Sequence, residues 1–349
     1  MSKQSIRIKT PLRYAINAFL FAAFLVIGRA LITGGAIKPY YAGIITLVGI
    51  NIILAVSLNM ATGYLGQLPL GHAGFMAVGA YASAIFMTRT ALDPSVAMPF
   101  GLLIGGIVAA IFGVLIGIPA LRLKGDYLAI ITLGFGEIIR IILLNIDDVL
   151  GFKLTFGAAS LKGIPETSSF FYTFLCVGIT CFAIHTLMKS RHGRAILSIR
   201  ENEIAADSCG INLTYYKVMG FVVSAFFAGV AGALYSGYLG ILNPSNFTFM
   251  KSIEILVFVV LGGMGSMIGS VFSAGVLTVL PELLRNFAEW RMIAYAVLLI
   301  LVMVFKPSGL MGQYDFSLGR ILEKTINLIT GRNTKKTPEI AGKEGEVNG

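Results

Sequence analysis

Long apolar runs recur along nearly the whole chain, and they limit the fold more than any other feature. A run of about 18 or more apolar residues can cross the hydrocarbon core of a bilayer, about 30 Å thick, as an α-helix. The chain has 349 residues, of which 56% are hydrophobic and 13% charged, so a soluble domain would leave much apolar surface in water. The sequence lacks the short alternating segments of a membrane barrel. It therefore predicts an all-α polytopic membrane protein.

Eight membrane spans are predicted from these runs, and one further apolar segment needs separate treatment. The spans fall near residues 14–33, 40–61, 64–88, 96–118, 126–145, 169–188, 218–242 and 291–305. The first span is also compatible with a signal peptide, because Arg29 interrupts its apolar run. No cleavage site of small residues follows it, which favours a retained first helix.

Lysine and arginine are distributed unevenly between the loops, and this distribution orients the chain. Four segments hold 18 of the 27 basic side chains, and the other loops hold 7; the four are residues 1–13, 119–126, 189–217 and 306–349. Basic loops stay on the cytoplasmic side, so both termini are predicted to be cytoplasmic. Because the basic residues flank membrane segments instead of sharing one soluble face, a nucleic-acid partner is not expected.

Three regions follow from this orientation. A cytoplasmic N-terminus (1–13) precedes a transmembrane domain (14–312), which carries a cytoplasmic loop at 189–217. The remaining residues, 313–349, are rich in Lys, Glu, Gly and Asn. Such a composition buries little apolar surface, so this part is predicted to be a polar cytoplasmic tail.

The segment 253–280 is apolar but broken, and it decides the number of crossings. Its sequence, "SIEILVFVVLGGMGSMIGSVFSAGVLTVLP" with its flanks, is interrupted at Gly262, Gly263 and Gly265. With both termini on one side the number of crossings is even, so this segment either enters and leaves on the outer side as two short halves or crosses twice. Irregular backbone inside a membrane is tolerated where protein buries it or where it lines a cavity. We predict about 8 to 10 transmembrane helices, with broken or re-entrant segments here and near 63–82.

The stretch "GYLGQLPLGHAGFMAVGAYA" (63–82) is the most interrupted of the predicted spans. It contains five glycines and one proline, and proline removes a backbone donor and disfavours a helical residue before it. A discontinuous helix near Gln67 and His72 is therefore predicted, with helix ends that offer partial charges to a polar solute. Gly71 and Gly74 are also consistent with tight helix packing alone, so both interpretations stay open.

His72, Glu137 and Arg140 are ionisable side chains inside predicted spans. His72 is compatible with a hydrogen bond between helices or with a proton relay. Glu137 and Arg140 lie in "DYLAIITLGFGEIIRIILLN" at positions i and i+3, on one helix face. Charges inside a membrane are costly and are usually paired or mark a pathway. The two residues therefore form a structural ion pair or take part in translocation or gating.

The loop 189–217 is predicted to contain an amphipathic helix. In its sequence, "KSRHGRAILSIRENEIAADSCGINLTYYK", apolar Ile196, Ile199 and Ala206 alternate with charged residues. Gly210 stands where the helix should end, and it is expected to adopt a positive φ. Such a helix can lie on lipid, dock on a partner or cap its own bundle. Its mixed charges argue against an anionic lipid surface, so we favour docking on a partner.

The sequence has no signature of catalysis or of a bound cofactor. The phosphate-binding pattern G-x-x-x-x-G-K-[ST] does not occur, and no arrangement of catalytic side chains is apparent. Cys176, Cys181 and Cys209 have neither a paired nor a metal-binding spacing and are predicted to be free thiols. The chain is therefore predicted to be a conduit and not an enzyme, with no cofactor or metal and with its energy supplied by a partner or an ion gradient.

Five stretches together resemble one known family over about residues 40–312. They are similar to the LivM-type permeases of branched-chain amino-acid ABC importers. The stretches are "GYLGQLPLGHAGFMAVGAYA" (63–82), "LRLKGDYLAIITLGFGEIIR" (121–140), "SIRENEIAADSCGIN" (198–212), "AGVAGALYSGYLGILNP" (228–244) and "LGGMGSMIGSVFSAGVL" (261–277).

The resemblance implies a multi-pass permease subunit of the bacterial inner membrane that translocates leucine, isoleucine or valine. The implied partners are a second, LivH-type permease, two cytoplasmic ATPases, a periplasmic binding protein that delivers the amino acid, and the lipid bilayer. Residues 194–212 resemble the family's ATPase-docking segment, although Ile204 interrupts the general importer pattern Glu-Ala-Ala-x-x-x-Gly. The implied docking residues are Arg194, Arg200, Glu201, Glu203, Ala205, Ala206 and Gly210.

Nine residues are candidates for the translocation path, and three function classes compete. The candidates are Gln67, Gly71, His72, Gly74, Glu137, Arg140, Gly262, Gly263 and Gly265. Permeases of the same superfamily handle urea, short amides or sugars, so the solute stays open within the importer class. The competing classes are a secondary transporter with Glu137 or His72 as proton carrier and a passive channel with a glycine-lined pore.

Overall fold

The computed structural model describes most of the chain between residues 10 and 285. The described residues are 10–90, 92–123, 125–150, 155–157, 160–285 and the positions 296, 297, 300, 304, 305 and 309. The chain divides into two compact units, Leu25–Asp315 and residues 1–24 with 316–349. Of the second unit, the described part is the beginning of one helix, residues 10–24. The account below concerns the first unit.

In the described residues the regular structure is helical, apart from one antiparallel bridge between Leu161 and Leu242. This confirms the all-α prediction. A π-helical turn (Met60–Tyr64) extends α2, and a short 3-10 turn (Pro244–Phe247) precedes α10. The helices are α1 (Thr10–Thr33), α2 (Pro39–Asn59), α3 (His72–Arg89), α4 (Pro94–Ala120), α5 (Asp126–Leu150), α6 (Phe170–Lys189), α7 (Arg191–Glu201), α8 (Glu203–Ser208), α9 (Leu213–Leu239), α10 (Phe249–Gly262) and α11 (Met267–Leu283).

Five of the described helices are long and apolar enough to cross a membrane: α2 with its π turn, α4, α5, α6 and α9. The total of 8 to 10 crossings stays a prediction, since most of the predicted span 291–305 lies outside the described residues. The predicted span 64–88 is wrong at its start, because the chain is not helical at 65–71. α10 and α11 have 14 and 17 residues, fewer than the roughly 20 that a perpendicular crossing needs.

α2 and α5 are the two extremes of burial among the long helices. In the most apolar part of each span, 78% of the residues of α2 are buried but only 17% of those of α5. α2 contacts α6, α9, α10 and α11, whereas α5 contacts α3, α4 and α10. α2 therefore lies inside the bundle, and α5 lies at its edge with one apolar face open.

Glycines bring α3, α4 and α9 together at the densest point of the bundle. A Cβ atom on Gly229 of α9 would lie 2.5 Å from the carbonyl oxygen of Gly105 in α4. A Cβ atom on Gly105 would in turn lie 2.8 Å from the carbonyl oxygen of Gly79 in α3. Small residues allow such close approach, and in a membrane this packing supplies much of the attraction between helices.

Gly229→Ala is expected to destabilise the protein, because the added methyl group collides with the backbone of α4. Overpacking of this kind costs about 1–3 kcal/mol. The matched control is Gly134→Ala in α5, where an added Cβ atom meets nothing within 4 Å and alanine favours the helix. Thermal unfolding of the purified protein in detergent measures both variants. A midpoint for Gly229→Ala equal to that of Gly134→Ala would contradict this packing.

Candidate functional site

The broken segment between α2 and α3 is held by side chains of other helices. The backbone N–H of Leu70 donates to Oγ1 of Thr132 in α5 over 2.9 Å. The N–H of Ala73, in the first turn of α3, donates to Oγ of Ser252 in α10 over 3.0 Å. Backbone groups in a membrane need such partners wherever a helix stops. The hydroxyl groups of α5 and α10 therefore stabilise the break at 65–71.

Gly71 and Gly74 place the start of α3 against α5. A Cβ atom on Gly71 would collide with the carbonyl group of Thr132, and one on Gly74 would lie 3.0 Å from Cα of Gly136. These contacts favour the packing interpretation of the two glycines. Gln67 is buried in the loop that precedes them. Contact of these residues with a solute stays a prediction.

His72 forms a hydrogen bond between two helices. Its Nε2 atom lies 2.9 Å from Oγ of Ser57 in α2, and the imidazole is buried. The Ser57 hydroxyl donates its one hydrogen to the carbonyl oxygen of Leu54. An imidazole that donates its Nε2–H to Ser57 Oγ fits this arrangement. This geometry favours the interhelical hydrogen bond over the proton relay.

Glu137 and Arg140 form an ion pair on α5. Nε of Arg140 donates to Oε2 of Glu137 over 2.7 Å. The other carboxylate oxygen, Oε1, accepts the backbone N–H of Phe249 at the start of α10 over 3.0 Å. A carboxylate at a helix N-terminus satisfies an orphan donor and is attracted by the helix dipole. Glu137 therefore both neutralises Arg140 and joins α5 to α10.

A shallow crevice lies between α5 and the first turns of α3 and α10. Its wall is apolar except for the side chains of Glu137, Thr248 and Ser252. The side chains of Arg140 and Glu137 are 24% and 29% exposed. Partly exposed charges inside a span are costly in contact with lipid. This side of α5 therefore needs protein or water beside it.

The turn between α10 and α11 is bound to the end of α2. Gly263 and Gly265 have φ values of +105° and +87°, a region open to glycine. Gly265 donates its N–H to Oδ1 of Asn59 over 2.8 Å. A Cβ atom on Gly262 would lie 2.5 Å from the carbonyl oxygen of Gly269. The three predicted glycines thus shape a tight turn, and a role for them in the translocation path stays a prediction.

The apolar face of the loop helices packs on the chain's own bundle. Ile196 and Ile199 of α7 and Ala206 of α8 are almost fully buried, and the two helices contact α6 and α9. The sequence allows this face to lie on lipid, to dock on a partner or to cap its own bundle. In the structure it caps its own bundle. These side chains are already covered, and docking of the loop helices on a partner stays a prediction. A partner can reach only the opposite face.

Two charged residues of the predicted docking set also point inward. Nη1 of Arg200 donates to the carbonyl oxygen of Gly63, in the π turn, over 2.8 Å. Glu203 forms an ion pair of 2.6 Å with Lys217 of α9, and Lys217 is only 5% exposed. A buried ammonium group requires such a charged partner. In this arrangement Glu203 holds α8 to α9.

The other predicted docking residues lie at the surface of α7 and α8. The side chain of Glu201 is 75% exposed, and Arg194 and Ala205 are exposed as well. Gly210 follows α8 with a φ of +78°, which confirms the left-handed conformation expected there.

Three hydrogen-bonding residues that fix the breaks were missed in the sequence: Asn59, Thr132 and Ser252. Each accepts a backbone N–H from a residue 62 to 206 positions away. The available signal was a polar residue inside an apolar span, which by itself does not name the partner. No cluster of three or more His, Cys, Asp or Glu side chains that fits a metal ion occurs in the described part of the chain.

Apolar helices with two interrupted segments, tied together by buried polar groups, are typical of helical membrane transport proteins. The family described as branched-chain amino acid transport system / permease component matches residues 40–305. This match covers more than half of the chain, so the chain belongs to that family.

Individual relatives are consistent with this membership. The permease LivM of the high-affinity branched-chain amino acid transport system of Salmonella typhimurium is 38% identical over 297 residues, which cover 77% of this chain and 69% of the relative. The LivH permease of the same organism is 27% identical, over 77% of this chain and 93% of its own length. A nucleoside ABC transporter permease, NupC of Lactococcus lactis, is 26% identical over 59% of this chain and 71% of its length. No solved structure matches the chain.

Glu137→Ala is expected to destabilise the protein more than Glu137→Gln. Glutamine keeps an oxygen that can accept the Phe249 N–H, whereas alanine removes the partner of both Phe249 and Arg140. The double change Glu137→Gln with Arg140→Gln should recover much of the loss, because no unpaired charge then remains. The measurement is the yield and thermal midpoint of purified protein. Wild-type stability of Glu137→Ala would show that the carboxylate is not needed for the fold.

Proposed function

We propose that this chain is a membrane-spanning permease subunit of an ATP-binding-cassette importer for leucine, isoleucine and valine. The observation that carries the proposal is the 38% identity to LivM together with a family match over residues 40–305. Transport of nucleosides is the second candidate function, since the nucleoside permease NupC is a relative at 26% identity. The greater identity and coverage of LivM favour the amino-acid reading. The chain then acts in transport and is not itself an enzyme.

A second permease subunit is the first proposed partner. LivH is similar to this chain over 93% of its length, so two chains of one fold can pair around a shared path. The open face of α5 supports this arrangement, because the partly exposed Glu137–Arg140 pair lies beside it and lipid is a poor environment for a charged pair. We place the translocation path along this face and the crevice beside it.

Two cytoplasmic ATPases and a periplasmic binding protein complete the proposed importer. The outward face of α8 offers the ATPases an apolar anchor, since Ile204 is 78% exposed, with Glu201 and Ala205 also exposed. An exposed apolar anchor on a helix is the usual means of docking into a groove. ATP-driven movement of the ATPases would shift α7 and α8, and with them the ends of α2 and α9 to which Arg200 and Glu203 are bound.

We infer that the protein is a multi-pass protein of the bacterial inner membrane with both termini, 1–13 and 313–349, in the cytoplasm. The support is the excess of lysine and arginine in these segments and in 189–217. The same orientation puts α7 and α8 on the cytoplasmic side, where ATPases are found.

The importer is tested by reconstitution in proteoliposomes with the second permease, the two ATPases and the binding protein. Labelled leucine, isoleucine and valine should accumulate with ATP and not with a non-hydrolysable analogue, because ATP hydrolysis is the proposed energy source. A protonophore at constant ATP should have no effect. Accumulation of nucleosides in place of amino acids would support the second candidate, and collapse under the protonophore would support a secondary transporter.

Cys209 tests the orientation and the docking face together. This thiol is exposed at the end of α8, whereas Cys176 is buried. In a background with Cys176→Ala and Cys181→Ala, a membrane-impermeant maleimide should label Cys209 in inside-out vesicles but not in right-side-out vesicles. Bound ATPases should protect it, and the added change Ile204→Asp should remove the protection by placing a charge at the apolar anchor.

Two outcomes would contradict these assignments. Labelling in right-side-out vesicles would reverse the topology. Full protection in the Ile204→Asp variant, with the ATPases bound as tightly as before, would show that α8 does not dock through this side chain.

A further inference from the structure

Arg200, in the last turn of α7, lies against both broken segments. Its Nη1 donates to the carbonyl oxygen of Gly63, 2.8 Å away in the π turn at the end of α2. The same Nη1 would lie 3.2 Å from a Cβ atom on Gly265, in the turn between α10 and α11. A Cβ atom on Gly66 would lie 3.1 Å from Cγ of Arg200. Gly66 and Gly265 thus leave a slot that the arginine side chain fills beside Gly63.

The slot suits a cation with directed donors. The last carbonyl groups of a helix have no donor within the helix, and they carry a partial negative charge. The guanidinium group supplies a donor to one of them, at Gly63. A hydrogen bond from a charged donor is stronger than one between neutral groups. Arg200 therefore stabilises the end of α2 where the regular helix gives way to a π turn.

The junction around the slot is incompletely hydrogen-bonded in this arrangement. Asn59 uses Oδ1 to accept the N–H of Gly265, but its buried Nδ2 has no hydrogen-bond partner in the described part of the chain. Buried donors are nearly always paired. Among the described residues, the junction between the two broken segments nevertheless keeps one unpaired buried donor.

The loop helices are attached to the bundle on both sides of Arg200. Ile196 and Ile199, in the two turns before it, are buried against the bundle, and Glu203 fixes the following helix to Lys217. Ile196, Ile199 and Glu203 thus attach α7 and α8 to the bundle. Arg200 attaches α7 to the π turn of α2 and lies beside the α10–α11 turn. A shift of the loop helices moves the guanidinium group relative to Gly63 and Gly265.

We propose that Arg200 is a positioning residue that converts movement of α7 and α8 into a change in spacing between the π turn of α2 and the α10–α11 turn. This proposal rests on the proposed function, in which ATPases supply the movement. With the loop helices in place, the guanidinium group holds the two broken segments together. Displacement of α7 withdraws the guanidinium group. The π turn of α2 and the α10–α11 turn then separate, at the end of the bundle that carries the loop helices.

The test compares Arg200→Met, Arg200→Lys and Arg191→Met in the whole reconstituted importer. Methionine keeps an unbranched apolar stem but has no donor, lysine keeps the charge and a donor, and Arg191 is an exposed arginine of the same helix. Uptake of labelled leucine, ATP hydrolysis and the amount of bound ATPase are measured in parallel. The number of leucine molecules moved per ATP hydrolysed is the decisive ratio, because a loss of folded protein lowers both quantities and leaves the ratio unchanged.

Arg200→Met is expected to lower this ratio about tenfold or more, the scale set by a lost hydrogen bond from a charged donor, with ATPase binding and hydrolysis retained. Arg200→Lys should recover much of the ratio, and Arg191→Met should leave it unchanged. An unchanged ratio in Arg200→Met would overturn the proposal. So would loss of ATPase binding in that variant, since Arg200 would then be a docking residue.

A second measurement separates this proposal from the proposed function. Hydrogen–deuterium exchange of the purified complex without ATP should rise in Arg200→Met at residues 60–67 and 263–266, while α4 stays unchanged. This readout does not depend on the solute. Failure of the wild-type complex to move branched-chain amino acids would refute the proposed function, whereas unchanged exchange at both segments would refute the role of Arg200.

Discussion

The need to bond every backbone group inside an apolar medium governs this structure more than any other constraint. At the two interrupted segments, side chains of distant helices bind several of the freed backbone groups. Thr132 and Ser252 do so for the break before α3, Glu137 for the start of α10, and Asn59 for the turn before α11. Each of these four side chains therefore satisfies a backbone group and ties two parts of the bundle together.

The α10–α11 hairpin is bound to its neighbours by several side-chain hydrogen bonds, among them those of Ser252 with α3 and of Thr278 with α2. Its first turn is fixed to α5 by Glu137, and its central turn is fixed to α2 by Asn59. Within the hairpin, α10 and α11 pack closely at Gly262 and Gly269. Close packing of this kind changes in discrete steps and resists continuous deformation. A conformational change of the hairpin then requires one of these hydrogen bonds to change. Arg200 lies beside the bond at the α10–α11 turn.

Local features were predictable from the sequence, and long-range pairings were not. Glycine and proline indicated both breaks, the i,i+3 spacing placed Glu137 beside Arg140, and the position of Gly210 predicted its positive φ, because each of these depends on neighbours along the chain. The direction in which a side chain points depends on residues that are distant in the sequence and close in the fold. Amphipathicity showed that the loop helix has an apolar face, but not that α6 and α9 would cover it. Nor did any pattern show that Arg200 and Glu203 turn inward, since Gly63 is 137 positions away from Arg200.

The use of polar groups as structural ties has a consequence for selectivity in an importer of the proposed kind. His72 is bonded to Ser57 and Glu137 to both Arg140 and Phe249, so binding an amino acid tightly through these groups would require breaking bonds that hold the helices. Each broken bond subtracts from the affinity that the new contacts provide. A path built in this way favours weak, transient contact with the amino acid, and weak contact allows the amino acid to pass through. Discrimination among leucine, isoleucine and valine then falls to the delivering protein, where a closed apolar pocket can measure side-chain shape.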